Sequence, residues 1–339
     1  MAGMRPVEFA NFVCTSGTDL EMLDMVDTVV LPAFSSGLRR TWGENTYFFH
    51  DVTLVDFAPD TVKGTPAICG RFVKDTVLHS KQVYRNGELL ANNQKIKSAP
   101  SAFFVLLLEQ HKLIYCSEYT GAPGIGTFRS TAYQFIGQAH KAYIDTAYEQ
   151  FKEQSNADPD AERITKASLV EKFPRPMLEI VPLASEESID QFVKRFKVLQ
   201  AMTIRLIKPN NEINNERLYE QIQTESRHMG ATASTLTYKN SKGLSQSVAT
   251  DHAEAAADGN AEVTFSGKDK EGAPLKGSNE DFRVLRFIEE LPSQAAEAAR
   301  RLYIAFKSAR QSGLITAEPA ADTRHAAKLA DLRSRAAQQ

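Results

Sequence analysis

The dipeptide Asn86-Gly87 is the feature that most constrains the fold of this chain. Asn-Gly between two β-prone runs is the strongest short-range signal for a β-hairpin, because both residues accept the positive φ of a tight two-residue turn. The segments 46–57, 67–77 and 81–85 before it are rich in aromatic and β-branched residues, as strands are. The sequence therefore predicts an antiparallel sheet in the first half of the chain.

A second hairpin is predicted at 103–108 and 113–119, and its first strand is apolar enough to be covered on both faces. Apolar residues recur at helical spacing over 127–153, so a long helix is expected to cover this sheet. A shorter helix is expected over 18–30, where Pro32 would end it.

The second half of the chain alternates strands with amphipathic helices and is predicted to have the order β-α-β-α-β-β-β before a C-terminal helix. The expected strands are 177–183, 202–208, 234–239, 261–266 and 282–291, and the expected helices are 186–200 and 215–229, with a last helix from Pro292. The glycine- and alanine-rich stretch 240–260 is predicted to be a mobile loop.

The predicted fold class is α+β with two domains. Residues 1–160 form an N-terminal antiparallel-sheet domain covered by the long helix, and residues 161–315 form the C-terminal α+β domain. Residues 316–339, dominated by Ala, Arg, Asp and Gln, are predicted to be a flexible tail because they offer little apolar surface for docking.

Composition limits the partners. Hydrophobic residues make up 42% of the chain and charged residues 24%, which is typical of a soluble globular protein. Forty basic against forty-two acidic side chains leave a net charge of −2, so a polyanion site must be a local patch. The longest apolar run, 102–108, is far shorter than the roughly 20 residues of a membrane helix, and no signal-peptide core precedes it. A cytoplasmic location is therefore expected.

No catalytic or metal-binding motif stands out. The seven histidines form no HExxH or HxxxH pair, the three cysteines form no CxxC pair, and neither a Walker A loop nor a GxSxG elbow occurs. Asp160 and Glu171-Lys172 follow the acidic-acidic-lysine order of metal-dependent nucleases, but they lack the strand-borne Glu-x-Lys spacing. The sequence therefore favours a protein that is not an enzyme and holds no cofactor or metal.

Basic residues form two local sets that could neutralise phosphates without reading the sequence of a nucleic acid. They are expected on adjacent strands of the first domain and on or beside strands of the second. A further cation follows a glycine-rich turn, 121–126, where a helix N-terminus can attract an anion. The candidates are Arg71, Lys74, Lys81, Arg85, Arg129, Arg205, Lys208, Lys239 and Lys242. For each of them the alternative is a solvated charged surface.

Several short strings together resemble RexA-like phage exclusion proteins in order and spacing from about residue 5 to 312. They are Gly43-Glu44-Asn45-Thr46-Tyr47-Phe48-Phe49-His50, Pro100-Ser101-Ala102-Phe103-Phe104-Val105, Gly126-Thr127 with Phe135-Ile136-Gly137, Met202-Thr203-Ile204-Arg205-Leu206-Ile207-Lys208-Pro209, and Phe306-Lys307. The resemblance implies a two-domain, dimeric sensor, encoded by a prophage, that detects phage DNA. It also implies signalling to a small multi-span membrane protein, which causes abortive infection.

The leading hypothesis is thus a cytoplasmic antiphage protein that binds double-stranded DNA through phosphate contacts, in a cleft between domains or between the protomers of a homodimer. Two alternatives stay open. One is a metal-dependent nuclease of a phage-defence system, and the other is a DNA-independent protein-interaction module that uses helix 186–200 or strand 282–291.

Overall fold

A computed structural model describes residues 3–17, 19–57, 64–157, 164–207, 217–231, 233–255, 261–315 and 324–338. The predicted α+β class is confirmed, with two antiparallel sheets and helices packed on them. The strands are β1 (Arg5–Ser16), β2 (Leu20–Glu21), β3 (Arg39–Trp42), β4 (Asn45–Phe57), β5 (Thr65–Arg85), β6 (Glu88–Ser98), β7 (Ser101–Leu107), β8 (Lys112–Ser117), β9 (Met177–Pro182), β10 (Phe196–Leu206), β11 (Ser234–Lys239), β12 (Ala261–Asp269), β13 (Pro274–Ser278) and β14 (Leu285–Ile288). The helices are α1 (Leu31–Ser35), α2 (Ile125–Ala157), α3 (Lys166–Lys172), α4 (Glu186–Val193), α5 (Arg217–His228), α6 (Gln246–Glu254), α7 (Ala295–Gln311) and α8 (Ala326–Ala336).

The large sheet has the order β14-β1-β8-β7-β5-β4-β3, with β2 and β9 also paired to β1 and β6 paired to β5. Every residue of β7 is buried, because helices cover both faces of the sheet. The predicted long helix, α2, packs Phe128 and Phe135 on one face. On the other face α7 packs Leu302 and Phe306.

Two strands from the second half of the chain join this large sheet. Strand β9 pairs with β1 between Ala10 and Thr15, and β14 pairs with β1 between Arg5 and Glu8. The boundary between residues 160 and 161 falls outside the described residues. The two-domain division at that point stays a prediction.

The small sheet has the order β11-β10-β12-β13. One of its faces builds a separate core in which Ile204 and Phe265 meet Phe192 of α4. A Cβ at Gly277 would collide with the Phe192 ring, so glycine is required where β13 passes this ring. The residues on the opposite face are half-buried or exposed, and they alternate along each strand with the core residues.

Three local predictions differ from the structure. The helix expected over 186–200 ends at Val193, and residues 196–200 belong to strand β10. Residues 240–260 were expected to be a mobile loop, but Ser245 caps helix α6, which buries Ala249 and Ala253; residues 256–260 lie outside the described residues. Pro32 was expected to end the first helix. Instead a 3₁₀ turn and a π turn lead into α1, where Pro32 occupies the first turn and its missing N–H needs no helical partner.

Residues 324–338, which were predicted to belong to a flexible tail, instead contain a helix that packs on the protein. Helix α8 buries Leu329 and Leu332 against the core beneath α2. Ion pairs add to the small apolar contact of this helix, because Asp27 binds Lys328 at 2.6 Å and Arg335 at 2.6 Å. Residues 316–323 lie outside the described residues.

Replacing Asp27 with asparagine is expected to weaken the docking of α8 at neutral pH but not in acid. Burial raises the pKa of Asp27, yet hydrogen bonds from Arg335 and Lys328 outweigh it and hold the pKa below 3.8. The stabilisation is therefore present above pH 4 and is lost as pH falls through the lowered pKa. Because the Asp27 side chain is 33% exposed, we expect Asp27→Asn to lower the free energy of unfolding at pH 7 by about 0.5–1 kcal/mol.

Urea unfolding at pH 7 and at several pH values below 4 measures this difference, which should shrink as the pH falls. The control is Asp331→Asn, which removes one exposed contact to Arg335 within α8. Equal losses of stability in the two variants at pH 7 would contradict the proposed docking role of Asp27.

Candidate nucleic-acid interface

The first set of predicted cations does not converge. Arg71, Lys74, Lys81 and Arg85 all lie on the single long strand β5, not on adjacent strands as the sequence predicted. At about 3.3 Å per residue, Arg71 and Arg85 lie about 46 Å apart along an extended strand. The first two members therefore belong to the body of the sheet, and the last two lie near the end of β5.

Arg71 is held by the protein itself. Its Nε donates to Glu118 Oε1 at 3.2 Å, its Nη1 donates to Asp51 Oδ2 at 3.2 Å, and its Nη2 donates to the Ser293 carbonyl at 2.8 Å. The side chain retains only 15% exposure. Lys74 is half-buried opposite Tyr47 of β4. Arg71 is therefore not presented to a phosphate backbone, whereas Lys74 stays a prediction.

Arg205 is likewise used inside the molecule. Its Nη1 and Nη2 donate to the two carboxylate oxygens of Glu179 on β9 at 3.0 and 3.2 Å, and its Nε donates to Glu262 at 3.0 Å. The hydrogen bonds that Arg205 donates to Glu179 raise the pKa of Arg205 above its ordinary value. Arg205 thus fastens the small sheet to β9 of the large sheet.

Replacing Arg205 with alanine is expected to cost stability and to leave nucleic-acid affinity unchanged. The change removes the Arg205 partner of two half-exposed carboxylates, Glu179 and Glu262, for which we expect a loss of about 1 kcal/mol of unfolding free energy. Urea unfolding measures the first effect and a duplex-binding titration the second. A tenfold weaker affinity for DNA with unchanged stability would show that Arg205 belongs to the DNA-binding surface.

The glycine-rich turn before α2 already has an anion nearby. Arg129 Nη1 lies 3.9 Å from Glu179 Oε2. A Cβ at Gly126 would lie 3.6 Å from Glu280 Oε1, which places a carboxylate at the N-terminal end of α2, where the helix dipole favours negative charge. We therefore do not include Arg129 in the interface.

The remaining two cations of β5 lie on a two-stranded arm, which we define as residues 76–98. Strand β7 accompanies β5 only from Ala67 to Val73, whereas β5 and β6 continue as a pair from Thr76 and Ser98 to Arg85 and Glu88. The predicted Asn86-Gly87 turn is confirmed, with φ of 53° and 88°. A bulge opposite Lys81 adds one residue to β6, so side chains alternate regularly along β5.

One face of this arm collects positive charge. Cross-strand pairing puts Val77 opposite Lys97, and His79 opposite Lys95, while Lys81 and Arg85 follow on the same side of β5. We call Lys81, Arg85, Lys95 and Lys97 the basic arm face. All four are exposed, and none forms an ion pair with a described residue.

The charge of the arm differs from that of the chain. Glu88 is the only carboxylate within residues 76–98, so the arm carries +3 with histidine neutral. Because the chain totals −2, the remainder carries −5. The segregation produces a local positive field in a nearly neutral protein. Sequence reasoning missed Lys95 and Lys97, although the alternation Lys95-Ile96-Lys97 is the period-2 signal of a strand.

A second, weaker set lies on the open face of the small sheet. Register places Lys239, Ala201, Ser266 and Lys276 in one row across four strands, which separates the two lysines by about 14 Å. Lys242 lies exposed in the turn after β11. The Lys208 candidate lies outside the described residues. Lys268 of β12 lies exposed on the same face, opposite Pro274 of β13. This set therefore has as many exposed lysines as the arm has cations, but its face also carries Glu262, which binds Arg205.

Residues 126–307, more than half of the chain, match the family model described as Domain of unknown function (DUF4747). The chain belongs to the DUF4747 family. The matched segment begins in α2, so the arm precedes it. No curated protein matches this DUF4747 chain.

Three further features of the described part of the DUF4747 protein concern metals, membranes and thiols. No group of three or more His, Cys, Asp and Glu side chains in the described ranges could hold a metal ion. No helix in the described part of the chain is long and apolar enough to cross a membrane. The thiols of Cys14, Cys69 and Cys116 are buried, and burial raises the pKa of each to about 12.

Proposed function

We propose that this DUF4747 protein binds double-stranded DNA through the basic arm face. The observation that supports this proposal is the set of four exposed cations on one side of a hairpin that extends past the sheet. Their only acidic neighbour on the arm is Glu88. Elsewhere, Arg71 and Arg205 are neutralised by carboxylates of the fold.

The chemistry of the four side chains favours phosphate contacts over base reading. Three are lysines, which bind phosphates as flexible point charges rather than as planar bidentate donors. Such contacts release counterions and are independent of sequence. We therefore propose binding that tolerates unrelated DNA sequences.

We further propose a biological setting for this binding, an antiphage role of the RexA-like exclusion type in the cytoplasm. The support is the resemblance in element order over most of the chain, together with a polyanion surface on the arm. In this setting phage DNA is the detected molecule, and a small multi-span membrane protein receives the signal.

A salt series on duplex binding tests the DNA proposal. Fluorescence anisotropy with a labelled 25-base-pair duplex between 50 and 200 mM NaCl should show weakening by about 10²-fold, since four phosphate contacts give a slope of about −3.6 in log–log form. A second duplex of unrelated sequence should bind with similar affinity. Absence of binding at 50 mM would refute the proposal.

A further inference from the structure

We propose that the end of the arm is a hydrophobic wedge that unstacks one base step of the bound duplex and thereby bends the DNA. This role rests on the proposed DNA binding and adds the way in which the arm engages the duplex. We define the hydrophobic tip as two neighbouring cross-strand pairs, Val83 with Leu90 and Tyr84 with Leu89, which lie one pair behind the Asn86-Gly87 turn.

The hydrophobic tip presents large side chains to the solvent. Tyr84 is 73% exposed, Leu89 68% and Leu90 43%, and Val83 is half-buried. Tyr84 and Leu89 lie on one face of the hairpin, and Val83 and Leu90 lie on the other. Hydrophobic surface therefore surrounds the end of the arm on both faces. Contiguous exposed side chains of this kind indicate a contact surface.

The charge behind the tip favours DNA as the molecule that this surface contacts. Lys81 and Lys95 lie on the basic arm face between the tip and the body of the sheet, and residues 76–98 carry +3 with Glu88 as their only carboxylate. A polyanion that binds these cations is brought to the tip at the same time. The tip itself adds no charge that would select a protein partner.

The dimensions of the arm match those of a DNA groove. Tyr84 follows Lys81 by three residues, so the tip extends about 10 Å beyond Lys81. The grooves of B-DNA are about 7.5–8.5 Å deep, and the major groove admits a two-stranded β-ribbon. When Lys81 binds a phosphate at the edge of a groove, the tip therefore reaches the bases.

The side chains of the tip are suited to separating bases rather than to reading them. Leucine and other hydrophobic side chains that enter between two bases unstack them and kink the duplex by about 20–90°. The aromatic ring of Tyr84 can stack on a base of any type, with Leu89 beside it. Such a wedge does not depend on hydrogen bonds to base edges, so it agrees with binding that tolerates unrelated sequences.

Bending of a short duplex that carries a fluorophore at each end tests the wedge. Energy transfer at saturating wild-type protein should show a bend of about 20–90°. Replacing Tyr84 and Leu89 together with serine should remove the bend and weaken binding less than about tenfold, because the basic arm face still binds phosphates.

The arm provides a matched control for this double variant. Leu78 and Ile96 form another cross-strand pair on the same face as Tyr84, but nearer to the body of the sheet. They are 52% and 49% exposed, so serine is tolerated at both positions. The variant with serine at Leu78 and Ile96 should bend DNA as the wild type does.

A mismatched duplex provides a second readout. Unstacking costs free energy, and the cost is smaller where the bases are already unpaired. The wild type should therefore bind a duplex with a central two-base mismatch at least about fivefold more tightly than the matched duplex. The variant with serine at Tyr84 and Leu89 should lose this preference.

Anisotropy and energy transfer in the same samples separate the two proposals. Salt-dependent binding of a duplex that stays straight, or equal bending by the tip variant and the wild type, would overturn the wedge and leave the DNA proposal standing. Absence of binding to either duplex would refute the proposed function and the wedge with it. Binding to phosphatidylserine vesicles in place of DNA would assign the tip to a membrane surface and overturn both.

Discussion

Replacing Lys81, Arg85, Lys95 and Lys97 together with glutamate is expected to abolish measurable duplex binding at 100 mM salt. All four side chains are exposed and form no ion pair with a described residue. The change therefore removes the proposed phosphate contacts without breaking an ion pair within the described part of the fold. Counterion release from four phosphates contributes more than about 10³-fold to affinity at this salt concentration. Anisotropy with the labelled duplex measures the loss.

The matched control reverses four exposed lysines on or beside the small sheet, Lys239, Lys242, Lys268 and Lys276. We expect affinity to change less than about threefold, while circular dichroism shows both variants folded. Loss of binding in the control with retention in the arm variant would move the interface to the small sheet.

Replacing Phe128 with alanine is expected to cost about 3–5 kcal/mol of unfolding free energy. Phe128 is fully buried, and its ring centroid lies 5.2–6.1 Å from those of Phe34, Phe49, Phe72, Phe104 and Tyr115. These rings come from α1 and from four strands of the large sheet, β4, β5, β7 and β8. The truncation therefore leaves a cavity at the centre of the core.

Urea denaturation checks the Phe128 prediction, with Phe151→Ala as the control on the same helix. Phe151 is 38% exposed, so its truncation should cost less than about 1 kcal/mol. Similar losses in the two variants would contradict the view that α2 closes the main core.

The sequence predicted those parts of the fold that depend on local signals. The Asn86-Gly87 turn was predicted correctly because the positive φ of a tight turn depends only on the two turn residues. The apolar stripe that includes Phe128 and Phe135 predicted helix α2 in the same local way. The length of β5 was not predictable in this way, since which neighbour a strand pairs with is decided by tertiary packing. The helix α8 was missed because its docking depends on Asp27, some 300 positions earlier in the chain.

The candidate interface was likewise predictable only where it depends on residues that are close together in the sequence. Sequence reasoning found Lys81 and Arg85, and it also chose Arg71 and Arg205. Nothing near Arg71 or Arg205 in the sequence indicates that Glu118, Glu179 and Glu262 reach them from other strands. The arm differs because both of its strands are adjacent along the chain, so its charge can be counted from the sequence once the hairpin is known.

Lysine acetylation in the presence of saturating duplex tests the proposed interface most directly. Mass spectrometry of protein with and without DNA should show Lys81, Lys95 and Lys97 at least fivefold less reactive in the complex. Lys194 and Lys197, outside the arm, should be unchanged. Arm lysines that stay fully reactive at saturation, with protection of Lys239 and Lys276 instead, would contradict the account.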